Sequence, residues 1–119
     1  MNEKKAVCMS VRDGDSAWLE IDMTLRIYHK ANCRLFGIDT PELNSTDSIQ
    51  REKALAAKAR LTELIAGKAI TVIDKGFDKF GRVLVIIILN GQNINEQMVA
   101  EGFAIRYSAI SHGVMSYEY

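Results

Sequence analysis

The stretch "RLFGIDTPEL", Arg34–Leu43, joins a short apolar run to an acidic turn built around the chain's only proline. Its first half suits a buried strand. Its second half sets Asp39, Thr40 and Glu42 around Pro41. Two readings compete. In the plain one, Arg34 lies on the surface and Asp-Thr-Pro-Glu simply stops the strand, since proline fixes φ and disfavours helix before it. In the other, the strand enters a core, and an arginine among Cys33, Leu35, Phe36 and Ile38 must be paired or face a cleft. The segments on either side decide between them.

Upstream, "AVCMSVRDGDSAWLEIDM" reads as two strands joined at Asp13-Gly14-Asp15, because Asp-Gly between apolar runs is a strong hairpin signal. "NCRLFGI" is then a third strand. Downstream, "DSIQREKALAAKARLTELIAGK" is a helix. Asp47 with Gln50 makes a capping box, and Ala54, Ala57, Leu61, Leu64 and Ile65 line one face. Gly67 supplies a left-handed stop, and the alanines let the helix lie close against a sheet. "AITVID" is a fourth strand and "RVLVIIIL" a fifth, so apolar that both faces should be covered. Asn90-Gly91 is a turn, "NINEQMVAEG" a short helix capped by Asn93 with Glu96, and "FAIRY" a last short strand. Three strands, a helix, two strands and a helix predict a mainly β, α+β domain: a five-stranded Greek-key barrel of the OB type with two helices. That fold often binds nucleic acid, but fold alone does not give function.

At 119 residues the chain is a single domain over 1–119, long enough to fold without disulfide or metal staples. Fifteen basic and fifteen acidic residues cancel, which argues against a broadly basic nucleic-acid surface and leaves room only for a local patch. Cys8 and Cys33 lack metal-ligand spacing and read as buried thiols rather than a disulfide. The N-terminus holds no apolar segment of signal-peptide length and no run approaches a membrane span. A cytoplasmic protein fits, phage- or prophage-encoded origin included, with secretion open if a signal was removed.

Acidic residues fall at strand ends: Asp13 with Asp15, Asp39 with Glu42, and Asp78. Arg34 and Arg82, the latter in "DKFGR", lie beside predicted strands. Singly each has a plain explanation; "DKFGR" serves as a hairpin connection with Gly81 permitting positive φ. Together the segments "VRDGDSAWLEI", "CRLFGIDTPEL", "DKFGRVLVIII" and "NINEQMVAEGFA" follow the order seen in the staphylococcal nuclease (thermonuclease) family, which this chain resembles from about Ala6 to Tyr107. The tail 108–119 lies outside that resemblance, and the family's C-terminal third helix has no counterpart in it.

The resemblance implies an OB-fold nuclease that hydrolyses DNA and RNA phosphodiesters with calcium. It implies Asp15 and Asp39 as metal carboxylates, with the Thr40 carbonyl as a further ligand. Glu42 is the implied base that activates water, Arg34 and Arg82 grip phosphate, and Lys79 and Phe80 contact substrate. Asp13 has no metal role and reads as a turn or supporting group. The chemistry wants these residue types: guanidinium groups answer phosphate charge with bidentate bonds, and a hard cation suits carboxylate and carbonyl oxygens. A glutamate in reach of the water can take its proton. The expected substrate is single-stranded or locally opened nucleic acid, cut with a 5′-oxygen leaving group to give 3′-phosphate ends.

Two departures stand out. Phe80 takes the place of a tyrosine and loses a hydroxyl that could meet phosphate, and the loop "DKGFD", Asp74–Asp78, is short. Tyr107, Tyr117 and Tyr119 read as packing or surface residues before nucleotide contacts, and His29 and His112 as structural or surface groups. The rival functions are a non-catalytic nucleic-acid-binding OB module, which could dispense with Asp15, Asp39 and Glu42, and a protein-interaction barrel, which the neutral charge leaves open.

Overall fold

A computed structural model describes residues 3–109 and 115–118. Its elements are β1 (Glu3–Asp13), β2 (Ser16–Asp22), β3 (Tyr28–Leu35), β4 (Ile38–Asp39), α1 (Ser48–Ile65), β5 (Ala69–Phe77), β6 (Val83–Leu89), β7 (Gln92–Asn93), α2 (Ile94–Ala100), β8 (Ile105–Ala109) and β9 (Met115–Glu118). The order β3-β2-β1-β5-β6 closes on itself through a parallel β3–β6 pairing, with Cys33 opposite Val83 and Arg34 opposite Leu84. This is the expected five-stranded closed barrel, with two helices among the described residues. A long β1 serves both β2 and β5. It bends to do so through irregularities at Cys8/Ser10 and Val11/Asp13, where an extra residue increases twist.

The predicted third strand is broken. β3 ends at Leu35, Gly37 takes a φ of +79°, and the chain resumes as β4. A β-carbon strains that backbone conformation, so glycine is what lets the chain turn there. The turn carries Asp39 out of the barrel wall into a small sheet, β4-β8-β9, where Ile38 faces Arg106 and Asp39 faces Ile105. The tail therefore contributes strand β9, paired to β8; His112 and Tyr119 lie outside the described residues. Residues 74–77 also differ from expectation. They continue β5 across a register shift between Asp74 and Phe77 instead of forming a loop.

The core holds Leu19, Leu35, Ile38, Val72, Val85 and Ile87 from the strands with Leu61, Ile65, Ile94 and Met98 from the helices. Each such side chain contributes roughly 1.5–3 kcal/mol on burial. Helix α1 buries Ala54, Ala57, Leu61 and Ile65, with Leu64 partly covered at the edge. Its N-cap is Asp47, whose side chain accepts from the N–H groups of Ile49 and Gln50. The Asp47 N–H itself donates to Ser45 Oγ at 3.2 Å, so serine takes the reciprocal place foreseen for Gln50. In β6, Val85 and Ile87 are buried while the alternate residues are half-covered, so its outer face is less shielded than its composition suggests. Cys8 and Cys33 are buried free thiols, and burial pushes Cys33 up to about 12.

Candidate active site

The β1–β2 turn, Asp13-Gly14-Asp15, is pressed under helix α1. A Cβ on Gly14 would meet the Ala57 Cβ at 2.6 Å and Thr40 Cγ2 at 3.0 Å. Glycine is required here by close approach. Asp13 fastens the turn: its Oδ1 accepts from the Asp15 N–H at 3.2 Å and from Ser16 Oγ at 2.6 Å. Burial works against its charge, but these hydrogen bonds and the Asp15 side chain outweigh it and hold the carboxyl below the usual range.

Asp15 is thereby buried, with 8% of its side chain exposed, beside Arg34 at 12%. Its Oδ2 accepts from Arg34 Nη1 at 2.9 Å and from the Thr40 N–H at 3.2 Å. Burial, reinforced by Asp13, pushes its carboxyl up to about 7 against the pull of Arg34. Arg34 reaches it because β3 runs beside both β2 and β6. Its Nη2 donates to the Ile38 carbonyl at 3.0 Å and to Asp39 Oδ1 at 3.3 Å, and its Nε donates to the Tyr107 hydroxyl at 2.7 Å. The guanidinium carbon also lies 5.1 Å from the centre of the Tyr107 ring. Burial disfavours the charge on Arg34, yet Asp15 and Tyr107 more than restore it, so the group holds its proton more firmly than usual. One guanidinium thus draws Asp15 and Asp39 together, as a strand arginine that must be paired would.

A second cluster forms in the "DKFGR" turn. Asp78 Oδ1 accepts from the N–H groups of Phe80 and Arg82, each at 2.9 Å, and Oδ2 accepts from Arg82 Nε at 2.7 Å. Burial opposes ionisation of Asp78, but these bonds outweigh it and lower its pKa. Phe80 is 73% exposed, with Lys79 Nζ 5.2 Å and the Arg82 guanidinium 5.8 Å from its ring centre. The parallel β3–β6 pairing seats this turn beside the strand that carries Arg34. Glu42 is exposed, and the structure gives its side chain no hydrogen bond among the described residues; only its carbonyl accepts, from the Ser45 N–H.

Asp15, Arg34, Asp39 and Thr40 are therefore gathered, Lys79, Phe80 and Arg82 form a neighbouring group, and Glu42 stands apart on the following loop. His29 is exposed. Two residues escaped the sequence analysis. Tyr107, expected to be a packing or surface residue, fixes Arg34, and nothing 73 positions away in sequence signals that. Asn95, buried in α2, accepts from the Ile87 N–H and donates to the Phe36 and Val85 carbonyls, locking the turn that leads to Asp39. Its place between the cap residues Asn93 and Glu96 disguised it as helix-start polarity.

The carboxylates of Asp15 and Asp39 and the carbonyl of Thr40 are hard oxygen donors suited to calcium. Among the described residues no three His, Cys, Asp or Glu side chains gather at one point. A cation held here would depend on those two carboxylates together with carbonyl and non-protein oxygens.

A closed five-stranded barrel with acidic and guanidinium groups collected at one strand end defines an OB-fold protein with a charged cluster at the barrel rim. The comparisons narrow that class. The family described as "Staphylococcal nuclease homologue" matches residues 32–118, and the chain belongs to it. That span includes Arg34, Asp39, Thr40, Glu42, Lys79, Phe80 and Arg82, while Asp15 lies upstream. An uncharacterized protein of Bacillus anthracis is 33% identical over 104 residues, 85% of this chain and 46% of its own length. An uncharacterized endonuclease of Haemophilus influenzae is 31% identical over 117 residues, 93% of this chain and 58% of its own length. Endonuclease YncB of Bacillus subtilis is 30% identical over 112 residues, 87% of this chain and 49% of its own length. The chain thus spans little more than half of each of these relatives at most. No helix among the described residues is long and apolar enough to cross a membrane.

Proposed function

We propose that this domain is a calcium-dependent nuclease that hydrolyses phosphodiester bonds of DNA or RNA in single-stranded or locally opened segments. The observation that carries the reading is the convergence of Asp15 and Asp39 on Arg34 at the end of β3. Two buried or half-buried carboxylates against one guanidinium form a charge set that a cation and a phosphate can share. Asp15, Asp39 and the Thr40 carbonyl would hold calcium, which when bound neutralises phosphate charge and orients water.

The chain's own groups do the rest. Arg34, held at Nε by Tyr107, gives Nη1 to Asp15 and Nη2 to Ile38 and Asp39 in the resting site, and it would turn N–H groups toward the non-bridging phosphate oxygens as a cation takes over those carboxylates. Arg82 approaches from the neighbouring turn, steadied by Asp78. Both remain charged throughout and bind more strongly as charge builds on those oxygens during attack. Glu42, on a loop open to solvent, takes the proton from the attacking water. The water oxygen bonds to phosphorus in line, the bond to the 5′ oxygen breaks, and that oxygen is reprotonated by solvent. The products are a 3′-phosphate and a 5′-hydroxyl. Lys79 and Phe80 supply a positive charge and a stacking face at the rim. A gel assay with a labelled single strand, run with calcium and then with chelator, tests this reading: calcium-dependent cutting is expected. Binding without cutting would assign the domain to the non-catalytic OB modules.

A further inference from the structure

A cleft of about 520 Å³ lies between the Asp39–Pro41 turn, the first turns of α1 and the link from α2 to β8. Asp39, Pro41, Gln50, Lys53, Phe103 and Ile105 are among the residues that line it. Its size falls within the usual range for a site that takes a small organic group. The walls are pinned independently of any ligand. Arg60 grips Glu101 with Nε at 2.6 Å and Nη2 at 3.1 Å, tying α1 to the end of α2. The N–H groups of Phe103 and Ala104 both donate to the Met98 carbonyl, and Ile105 pairs with Asp39 across β4–β8. A cleft held this way loses little order on binding.

The cleft also continues from the charge cluster, because Asp39 belongs to both. Lys53 is exposed and has no ion pair among the described residues. Phe103 and Pro41 offer apolar surface, and Gln50 an amide that both donates and accepts.

Resting on the function proposed above, we infer that this cleft is a nucleotide subsite, taking the nucleotide next to the cleaved phosphodiester of a single strand. Its base packs between Pro41 and Phe103, the Gln50 amide meets the base edge, and Lys53 pairs with its phosphate. A base can enter such a cleft only when unpaired, so the subsite selects single strands over duplex. Base packing on an aromatic ring tolerates any base. The lysine contact adds a salt-dependent, sequence-independent contribution.

The test is equilibrium binding of a fluorescein-labelled hexathymidylate across a salt series, in calcium with the Glu42→Gln protein and in chelator with the wild type. Lys53→Ala in each background is expected to weaken binding by about five- to tenfold and to reduce the slope of log Kd against log salt by roughly 0.7. Lys30→Ala, outside the cleft and both charge clusters, is expected to leave the slope unchanged. Phe103→Leu is expected to weaken binding without changing the slope. Where that half-buried change disturbs folding, Gln50→Ala and Lys53→Ala, on the helix surface, still decide. An unchanged slope and affinity for Lys53→Ala overturn the subsite. Because binding is read without cleavage, failure of the subsite is distinct from failure of the nuclease reading, which the gel assay reports.

Discussion

Removing divalent cations and raising the pH should weaken this fold, because Asp15 must then ionise in a buried place. Its carboxyl rises from 3.8 to about 7 in the folded protein. The native state therefore binds this proton more tightly than the unfolded chain. Stability from Asp15 is fully present below about pH 4 and is lost as pH rises through about 7. At about 1.4 kcal/mol per pH unit the ceiling is roughly 4 kcal/mol, and sharing the proton with Asp13 makes about 2–4 kcal/mol the expected fall. For a domain of this size that is a drop in Tm of roughly 10 °C. Asp13, Asp78 and Glu101 carry lowered pKa values, Glu101 at about 2, and act in the opposite sense at more acid pH. Among the carboxyls of the described residues with a shifted pKa, Asp15 is the one that changes ionisation between about pH 5 and 8. The assay is thermal unfolding in chelator across that window for the wild type and Asp15→Asn. The asparagine variant should be flat with pH and at least as stable as the wild type at about pH 8. Millimolar calcium should raise the wild-type Tm near pH 8 and do little near pH 5, where the proton competes. A wild type with flat Tm from about pH 5 to 8 in chelator, or an Asp15→Asn protein with the same slope, refutes the reasoning.

Three further outcomes are expected. Arg34→Lys and Arg82→Lys should each lower kcat by about 100-fold or more, since an ammonium cannot replace a planar fork on developing phosphate charge; near wild-type rates in both would remove these assignments. Tyr107→Phe keeps the ring against Arg34 but removes the acceptor 2.7 Å from its Nε; it should lower kcat by about tenfold and Tm by a few degrees, the cost of about 1–3 kcal/mol for a partly buried donor left unmet. Gly14→Ala should cost about 1–3 kcal/mol in chemical denaturation, because its methyl would lie 2.6 Å from the Ala57 Cβ.

The barrel strands were legible where side-chain alternation runs long enough to show a period, and α1 was legible from its cap, its alanine face and its glycine stop. The two-residue strand β4 was not, because no period exists over Ile38–Asp39; only the positive φ of Gly37 separates it from β3. The glycine of the Asp-Gly-Asp turn was visible, but its reason was not. A hairpin signal describes local backbone, whereas the contact with Ala57 comes from a helix more than forty positions on. Arg34 was legible as a residue needing partners, since its neighbours are apolar. Which partners it has depends on strand register and on β8. Lys79, Phe80 and Arg82 were found through their segment, while the Asp78 carboxylate that organises them was noted only as an acidic spot.

In the proposed mechanism Glu42 separates the nuclease from a barrel that only binds, because that proposal gives its carboxylate proton removal and not the holding of metal or phosphate. The most direct measurement is cleavage and binding of one labelled oligonucleotide by wild type and Glu42→Gln at millimolar calcium. Calcium-dependent cutting by the wild type, with binding retained and cutting reduced by about 100-fold or more in Glu42→Gln, is the predicted result. A wild type that binds the strand and never cuts it, or a Glu42→Gln protein that cuts at the wild-type rate, would contradict the account.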